Sequence, residues 1–331
     1  MSDSLKFGTS GLRGLAVDLV GEAARRYTAA FLRHLESTDR RADAVLVGAD
    51  LRASSPDIVR SVMEAIGGAG ATAIDCGALP TPALALEALS RGLPAVMVTG
   101  SHIPADRNGL KFYSASGEID KGDEAGILAA LSDGDAPVVG TPAEDGTAAL
   151  SHYLARYKGV LGDDALQGWR IGVWQHSSVA RDVLVRVLQD TGAEIVALGR
   201  SDVFVPVDTE AVSTETQAEL AGWVRAHQLD AVVSADGDAD RPLLVDEAGV
   251  LVRGDVLGIL TARFVGARTV VTPVTSNSAI EETDDFAVVR RTRVGSPFVI
   301  AAMGEAGAVA PVVGFEANGG VLLGSEVTLN G

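Results

Sequence analysis

The sequence contains one cysteine among 331 residues, so Cys76 has no partner for an internal disulfide. No apolar run is long enough to cross a bilayer. Residues 1–6 have neither the basic segment nor the apolar core of a secretory signal. These absences predict a cytoplasmic protein without a membrane partner, in which Cys76 is a small buried apolar residue.

Basic residues are also scarce, because 27 Lys and Arg face 44 Asp and Glu, for a formal net charge of −17. Nucleic-acid binding depends on neutralising phosphates, so the charge argues against nucleic acid as a partner. A smaller anionic ligand would require the basic residues to gather locally. Candidates next to predicted strand ends are Arg13, Arg52, Lys111, Arg241 and the run Arg290, Arg291 and Arg293.

Aromatic residues make up only 5% of the sequence while glycine contributes 38 residues, which fits an α/β protein rich in turns. Short apolar segments alternate with segments of helical period, which predicts mostly parallel strands covered by helices. A stretch rich in Gly, Pro and acidic residues at 133–146 has the composition of a linker. We therefore predict three consecutive α/β domains with mixed, mostly parallel sheets around a central cleft, at residues 1–146, 147–252 and 253–331, the third incomplete.

The most informative stretch is residues 96–113, Val-Met-Val-Thr-Gly-Ser-His-Ile-Pro-Ala-Asp-Arg-Asn-Gly-Leu-Lys-Phe-Tyr. A short buried strand ends at Thr99-Gly100, and a second strand begins near residue 110. Between them Ser101 stands beside His102, with Lys111 close in sequence. This is the environment of an oxygen nucleophile, or of an oxygen that carries a phosphoryl group. The alternative is an ordinary polar loop.

Another predicted strand runs into Ala-Asp-Gly-Asp-Ala-Asp-Arg at residues 235–241. Asp236, Asp238 and Asp240 alternate along this loop and can converge on one hard cation, for which Mg²⁺ is the best candidate. An EF-hand is excluded because its sixth position would be Arg241 rather than glycine. The alternative is a solvated acidic turn, which three neighbouring like charges disfavour unless a cation joins them.

Two further loops carry polar groups framed by glycine. Residues 7–14, Phe-Gly-Thr-Ser-Gly-Leu-Arg-Gly, hold too much glycine for a helix, and the N–H groups and guanidinium of such a loop can bind an anion. Residues 314–320, Gly-Phe-Glu-Ala-Asn-Gly-Gly, offer Glu316 and Asn318 to sugar hydroxyls. Because ligands of open α/β sheets bind beyond the carboxyl ends of strands, we expect these loops to meet.

In this order the four loops resemble those of the α-D-phosphohexomutases, the bacterial phosphomannomutase/phosphoglucomutase family. The resemblance implies that Ser101 is the phosphoserine and that Asp236, Asp238 and Asp240 hold Mg²⁺, with an oxygen on Ser101 as a further ligand. It also implies a catalytic group around the transferred phosphoryl and a set of substrate-binding residues. The catalytic group is Ser101, His102, Lys111 and Arg13, and the substrate-binding set is Thr9, Ser10, Arg241, Arg293, Gly295, Ser296, Glu316 and Asn318.

The implied activity is the interconversion of a hexose 1-phosphate and a hexose 6-phosphate, with mannose phosphate favoured as the substrate. A hexose 1,6-bisphosphate would be both intermediate and phosphoryl donor, and the protein would be a monomer or a weak homodimer. Two alternatives stay open. One is a Mg²⁺-dependent sugar phosphatase with Asp236 as nucleophile, disfavoured because Asp240 stands where such enzymes carry Thr or Val. The other is a catalytically weak phosphosugar-binding remnant.

The sequence departs from the family pattern at several places. The serine loop has Gly100 and Ile103 where Ala and Asn are more usual, and the sugar loop ends differently at residues 317–320. The loop at residues 293–296 lacks a histidine that some members carry, which leaves the general base open. The family's fourth, phosphate-binding domain has no counterpart before Gly331, so we expect these 331 residues to be a poor mutase alone.

Overall fold

The computed structural model describes residues 4–8, 11–131, 143–305, 307 and 309–328, and every structural statement below concerns these residues. Their strands form three separate sheets, which confirms the predicted α/β class with mixed sheets. Thr9, Ser10 and most of the predicted linker at 133–146 lie outside the described residues. No helix in the described part of the chain is both long enough and apolar enough to span a membrane.

The first sheet has eight strands, in the order β1-β2-β6-β5-β3-β4-β8 with β7 beside β6. These strands are β1 Lys6–Phe7, β2 Leu12–Leu15, β3 Ala44–Ala49, β4 Thr72–Ala78, β5 Ala95–Val98, β6 Arg107–Ser114, β7 Gly117–Glu118 and β8 Glu144–Asp145. The helices of this part are α1 Ala16–Leu19, α2 Glu22–Ser37, α3 Ser55–Gly68, α4 Thr81–Arg91, α5 Lys121–Ala129 and α6 Ala148–Tyr157.

The second sheet has the order β10-β9-β11-β12-β13, and the third β15-β14-β16-β17. The second consists of β9 Arg170–His176, β10 Glu194–Arg200, β11 Ala231–Ala235, β12 Pro242–Val245 and β13 Leu251–Val252, with helices α7 Arg181–Gln189 and α8 Thr214–His227. The third consists of β14 Thr269–Pro273, β15 Val288–Thr292, β16 Val312–Phe315 and β17 Val321–Leu323, with helices α9 Gly254–Phe264, α10 Ala279–Glu282 and α11 Ser296–Met303.

The three sheets repeat one layout. In each, three parallel strands lie in the order second-first-third, and a fourth strand returns antiparallel beside the third. The turn from third to fourth strand follows β5 in the first sheet, β11 in the second and β16 in the third. These turns contain the serine loop at residues 99–106, the aspartate loop at residues 236–241 and the sugar loop at residues 316–320. The fold therefore gives each loop an equivalent position at the carboxyl end of a strand.

Strand β5 shows why the sequence forms a covered sheet. All four of its residues are fully buried. Val96 and Val98 pack into one apolar cluster while Ala95 and Met97 pack into another, as expected from the period of two along a strand. A strand that is apolar on both faces therefore fixes where the chain emerges at Thr99.

The structure corrects two details of the sequence interpretation. Residues 7–14 are not one loop, because β2 pairs antiparallel with β6 and places Arg13 opposite Gly109. Helix α6 packs on helix α4 of the first sheet, where Ala149 joins the apolar cluster and His152 bonds to Glu87. The proposed division between residues 146 and 147 stays a prediction, and the first sheet's packing extends past it.

Asp123 joins helix α2 to helix α5. Its carboxylate hydrogen-bonds to His34 Nε2 at 2.8 Å and to the Arg40 guanidinium. Burial alone would raise the pKa of Asp123, but the hydrogen bonds from Arg40 and His34 outweigh burial and hold the pKa below its ordinary value. The charged carboxylate therefore contributes to stability.

Asp123→Asn is expected to lower the free energy of unfolding at neutral pH by about 1–2 kcal/mol, because the amide loses two charge-assisted bonds. Since the folded pKa lies below the unfolded one, the difference is fully present above about pH 4 and shrinks as the pH falls through the lowered value. Denaturant unfolding at neutral and acid pH measures this. Asp57→Asn, which breaks an exposed pair with Arg60, is the control; an equal loss in both variants would contradict the interpretation.

Candidate active site

Ser101 lies in the turn between β5 and β6, and its φ of 51° is in the left-handed region that a serine rarely adopts. Its backbone N–H donates to Thr99 Oγ1 at 2.8 Å. Its hydroxyl donates to Asp236 Oδ2 at 2.6 Å and lies 3.3 Å from His102 Nδ1. The fold therefore brings the predicted serine to the aspartate loop of the second sheet.

The three aspartates after β11 form one cluster, with carboxylate oxygens within 4.8 Å of one another. Asp236 and Asp238 are fully buried and Asp240 is half-buried. The Oδ1 atoms of Asp238 and Asp240 are buried and have no hydrogen-bond partner, although buried polar atoms usually have one. Converging carboxylates with free oxygens are a donor set that suits Mg²⁺, so the cluster can hold the predicted metal.

Lys111 reaches this cluster from β6. Its ammonium donates to Asp238 Oδ2 at 2.7 Å and also to Asp240. Burial would lower the pKa of Lys111, but the two carboxylates outweigh burial and raise the pKa well above its ordinary value. Lys111 is therefore a fixed positive charge at the aspartate cluster.

The three carboxylates are not equivalent. Burial raises the pKa of Asp236 well above its ordinary range, and the charges of Asp238 and Asp240 raise it further. Burial acts on Asp238 in the same direction, but the Lys111 ammonium outweighs it, and the pKa of Asp238 is lowered. Asp236, next to the serine hydroxyl, is therefore the carboxylate whose negative charge is least compensated and the one that binds a proton most readily.

His102 supplies a neutral imidazole beside Ser101. Burial lowers the pKa of His102 to about 4, and the positive charge of Arg241 acts in the same direction. The ring is therefore uncharged at neutral pH, and its Nδ1 can accept a proton from the nearby hydroxyl.

Arg13 and Arg241 bring two more positive charges to the cluster. Arg13 stands on β2 opposite Gly109, two residues before Lys111 on β6. Burial lowers the pKa of Arg13, and the positive charge of Arg241 lowers it further. Arg241 Nε is 3.9 Å from Asp240 Oδ1. Paired cations beside carboxylates and a hydroxyl form a pocket for a phosphoryl group.

The sugar loop after β16 approaches the same place. Asn318 Nδ2 lies 3.4 Å from Glu316 Oε2, and Asn318 Oδ1 accepts the Gly320 N–H at 2.8 Å. Burial raises the pKa of Glu316, and the positive charge of Arg241 opposes this rise. Thr209 of the second sheet's unit donates to the Asn318 carbonyl at 2.8 Å and holds the loop there.

The predicted loop at residues 293–296 is only partly directed at this place. Ser296 Oγ donates to Glu118 Oε2 of the first sheet at 2.9 Å, and the charge of Glu118 in turn acts on Glu316. Gly295 is buried with a φ of 125°, which favours glycine. Arg293 instead lies exposed over the Phe298 ring, 5.5 Å from its centroid.

Three of the basic residues predicted as anion ligands donate hydrogen bonds to main-chain carbonyls. Arg52 is buried and donates to four backbone carbonyls of the serine loop. Arg291 donates to the carbonyls of Pro273, Ser276 and Asn277, and Arg290 donates to the Ala302 carbonyl. Main-chain acceptors and Asp50 take up the donors of Arg52, while Arg291 also pairs with Glu281 and Arg290 with Glu305. These contacts argue against the three guanidinium groups as anion ligands.

Sequence reasoning missed three residues that support the site. Asp50 accepts hydrogen bonds from Thr99 and from the Gly100 N–H, Thr81 Oγ1 donates to Asp238 Oδ2 at 2.7 Å, and Glu118 bonds to Ser296. The position of Asp50 directly after strand β3 was a usable signal. Thr81 is 157 residues from its partner, and no local pattern indicates that contact.

The sequence is similar to known proteins over nearly its whole length. Residues 4–137, 152–249 and 253–330 match the phosphoglucomutase/phosphomannomutase alpha/beta/alpha domains I, II and III. A phosphomannomutase of Sinorhizobium fredii (strain NBRC 101917 / NGR234) is 52% identical over 336 residues, covering 98% of this chain and 71% of that protein. A phosphomannomutase of Salmonella muenchen is 43% identical, covering 98% of this chain and 68% of its own length.

The fold is shared as well. The crystal structure of a phosphoglucomutase/phosphomannomutase family protein from Burkholderia thailandensis superposes with a TM-score of 0.80 at 22% identity, over 95% of this chain and 71% of that chain. The three sheets of the present chain and its serine, aspartate and sugar loops agree with the sequence relationship. The chain belongs to the phosphoglucomutase/phosphomannomutase family.

Proposed function

We propose that this phosphohexomutase interconverts mannose 1-phosphate and mannose 6-phosphate through a phosphoserine at Ser101 and a hexose 1,6-bisphosphate intermediate. The observation that carries the proposal is the placement of the Ser101 hydroxyl, 2.6 Å from Asp236 Oδ2, inside a pocket of carboxylates and cations. The relatives at 52% and 43% identity are named phosphomannomutases, which supports mannose as the sugar.

The reaction begins when phosphoserine 101 gives its phosphoryl group to the free hydroxyl of the hexose monophosphate. The Oγ–P bond breaks, and the proton of the sugar hydroxyl passes by way of Asp236 or His102 to Ser101 Oγ. The bisphosphate turns over in the cleft and returns its other phosphoryl group to Ser101. In that second half the Ser101 hydroxyl loses its proton, and two acceptors face it. Asp236 Oδ2 lies at 2.6 Å, and the neutral His102 ring offers Nδ1 at 3.3 Å.

The cations of the pocket stabilise the transferred group. Lys111, Arg13 and Arg241 supply positive charge around the phosphoryl oxygens, and phosphoryl transfer depends chiefly on such positioning and electrostatics. Asp236, Asp238, Asp240 and an oxygen on Ser101 would hold Mg²⁺, which would add further positive charge to the same oxygens. The carboxylates thus bind the metal while the basic side chains orient the phosphate.

The third sheet's unit binds the sugar in this proposal. The Glu316 carboxylate accepts hydrogen bonds from the sugar hydroxyls, and the Asn318 amide donates to them. Ser296 and the Gly295 backbone are further substrate contacts in this proposal. Arg293 would have to leave the Phe298 ring to reach a ligand. Thr9 and Ser10 stay predicted substrate contacts, and the cytoplasmic location and the monomeric or weakly dimeric state also stay predictions from the sequence.

A coupled assay tests the proposal. The protein is expected to convert mannose 1-phosphate to mannose 6-phosphate, at the low rate expected from the sequence, when Mg²⁺ and a catalytic amount of mannose 1,6-bisphosphate are present, without releasing inorganic phosphate. Omitting the bisphosphate should slow the reaction, because dephosphorylated enzyme accumulates. Phosphate release without isomerisation would favour the phosphatase alternative, and tight sugar binding without either product would favour the binding alternative.

A further inference from the structure

The Arg52 guanidinium is the most heavily bonded side chain next to the site, although the reaction does not use it. It is fully buried and pairs with Asp50, with Nε at 3.1 Å from Oδ2. Its remaining N–H groups donate to the carbonyls of Ser101 at 2.9 Å, Ile103 at 2.6 Å, Pro104 at 2.7 Å and Arg107 at 3.0 Å. One side chain therefore holds the backbone of the whole turn between β5 and β6.

Two further groups lie against this guanidinium. A Cβ on Gly100 would lie 2.7 Å from Arg52 Cζ, so the main chain of the serine loop lies directly against the group. The ring of Phe204, from the second sheet's unit, lies over Arg52 with its centroid 3.9 Å from Cζ. This cation–π contact is desolvated, which makes it worth more than an exposed one.

Phe204 in turn touches the aspartate loop. A Cβ on Gly237 would lie 2.8 Å from the Phe204 ring and 2.9 Å from the Ser101 carbonyl oxygen. Gly237 stands between the ligand candidates Asp236 and Asp238. The chain of contacts from Gly100 through Arg52 and Phe204 to Gly237 therefore ties the serine loop to the aspartate loop.

We propose that Arg52, in contact with both Gly100 and Phe204, is a positioning residue that fixes the distance between the Ser101 hydroxyl and the aspartate cluster. The inference rests on the proposed function, since the distance matters for phosphoryl transfer to Ser101. It also explains Gly100, where alanine is the more usual residue: a methyl group there would push the guanidinium away from its four carbonyls. Phe204 couples the two units by stacking, without touching substrate.

Lysine cannot replace arginine in this place. A guanidinium presents five N–H donors in a fixed plane, whereas an ammonium presents three donors from one atom and has no flat face for an aromatic ring. Arg52→Lys therefore leaves carbonyls of the serine turn without a donor. The strained φ of Ser101 then loses the surroundings that hold it.

The test compares Arg52→Lys, Phe204→Leu and Phe204→Tyr with Arg291→Lys. Arg291 is the matched control, since it too donates to backbone carbonyls but in the third sheet's unit. Single-turnover phosphorylation of Ser101 by mannose 1,6-bisphosphate gives the rate, titration gives the bisphosphate affinity, and amide hydrogen exchange reports on residues 100–107. We expect the rate to fall about 100-fold in Arg52→Lys and about tenfold in Phe204→Leu, with affinity nearly unchanged.

Phe204→Tyr keeps the ring and should retain the wild-type rate, and Arg291→Lys should lower the melting temperature without changing the rate. Faster amide exchange at residues 100–107 should accompany only the two slow variants. The inference is overturned if Phe204→Leu labels Ser101 at the wild-type rate and shows unchanged amide exchange at residues 100–107. These two measurements on Phe204→Leu decide the question even if Arg52→Lys does not fold. If the wild-type protein leaves Ser101 unlabelled, the proposed function fails, whereas the exchange experiment still decides whether Arg52 and Phe204 hold the loop.

Discussion

Replacing Ser101 by alanine is expected to reduce phosphoryl labelling of the protein by mannose 1,6-bisphosphate to background and to abolish isomerisation. The hydroxyl is the only group of the described serine loop that lies within hydrogen-bond distance of both Asp236 and His102. The substitution removes the acceptor itself, so no residual half-reaction should remain. Stability should fall by about 1–3 kcal/mol, because the buried Asp236 oxygen loses its hydroxyl donor.

Mass spectrometry of the labelled protein checks this result directly. Ser114→Ala is the control, since Ser114 is a buried serine of the same sheet whose hydroxyl bonds only within the β6–β7 turn. It should label at Ser101 like the wild-type protein. A label that persists in Ser101→Ala, or that maps to another residue in the wild-type protein, would remove Ser101 from the mechanism.

The sequence allowed the elements and the loops to be predicted because both depend on local patterns. Strand β5 is apolar at every position, and helices α6 and α9 begin and end where their apolar period does. Because ligands of open α/β sheets bind beyond the carboxyl ends of strands, the loops after β5, β11 and β16 could be expected at one cleft, although the three strands belong to different sheets. Ser101 and the aspartates were found in this way.

The contacts of the long basic side chains could not be predicted from the sequence. Arg52, Arg290 and Arg291 have the same sequence signature as Arg13 and Arg241, a basic residue near a strand end. Whether such a guanidinium meets an anion or a main-chain carbonyl depends on contacts that form only in the folded chain, such as the one between Arg52 and residue Ser101. The same holds for the bond from Ser296 to Glu118, which joins residues 178 positions apart.

The pKa values of Asp236 and Asp238 are shifted in opposite directions, so we expect the two residues to contribute differently to stability but alike to Mg²⁺ binding. Two substitutions test this expectation. Asp236→Asn removes the carboxylate whose charge is least compensated, so in a chelating buffer it should leave the melting temperature unchanged or raise it. Asp238→Asn removes the main partner of the buried Lys111 ammonium and the acceptor of Thr81, and should cost about 3 kcal/mol. Both should weaken Mg²⁺ binding at least tenfold, to about the level expected when a ligand is lost.

Titration calorimetry with Mg²⁺ and thermal unfolding in the chelating buffer give the two readouts on the same samples. Asp182→Asn is the control, because Asp182 is an exposed carboxylate of the second sheet's unit whose shortest ion pair is with the exposed Arg200. It should leave both quantities unchanged. Wild-type Mg²⁺ affinity in Asp236→Asn and Asp238→Asn would place the metal outside the aspartate loop. Equal destabilisation by the two variants would show that Lys111 does not single out Asp238, and that the charge of the cluster is shared evenly.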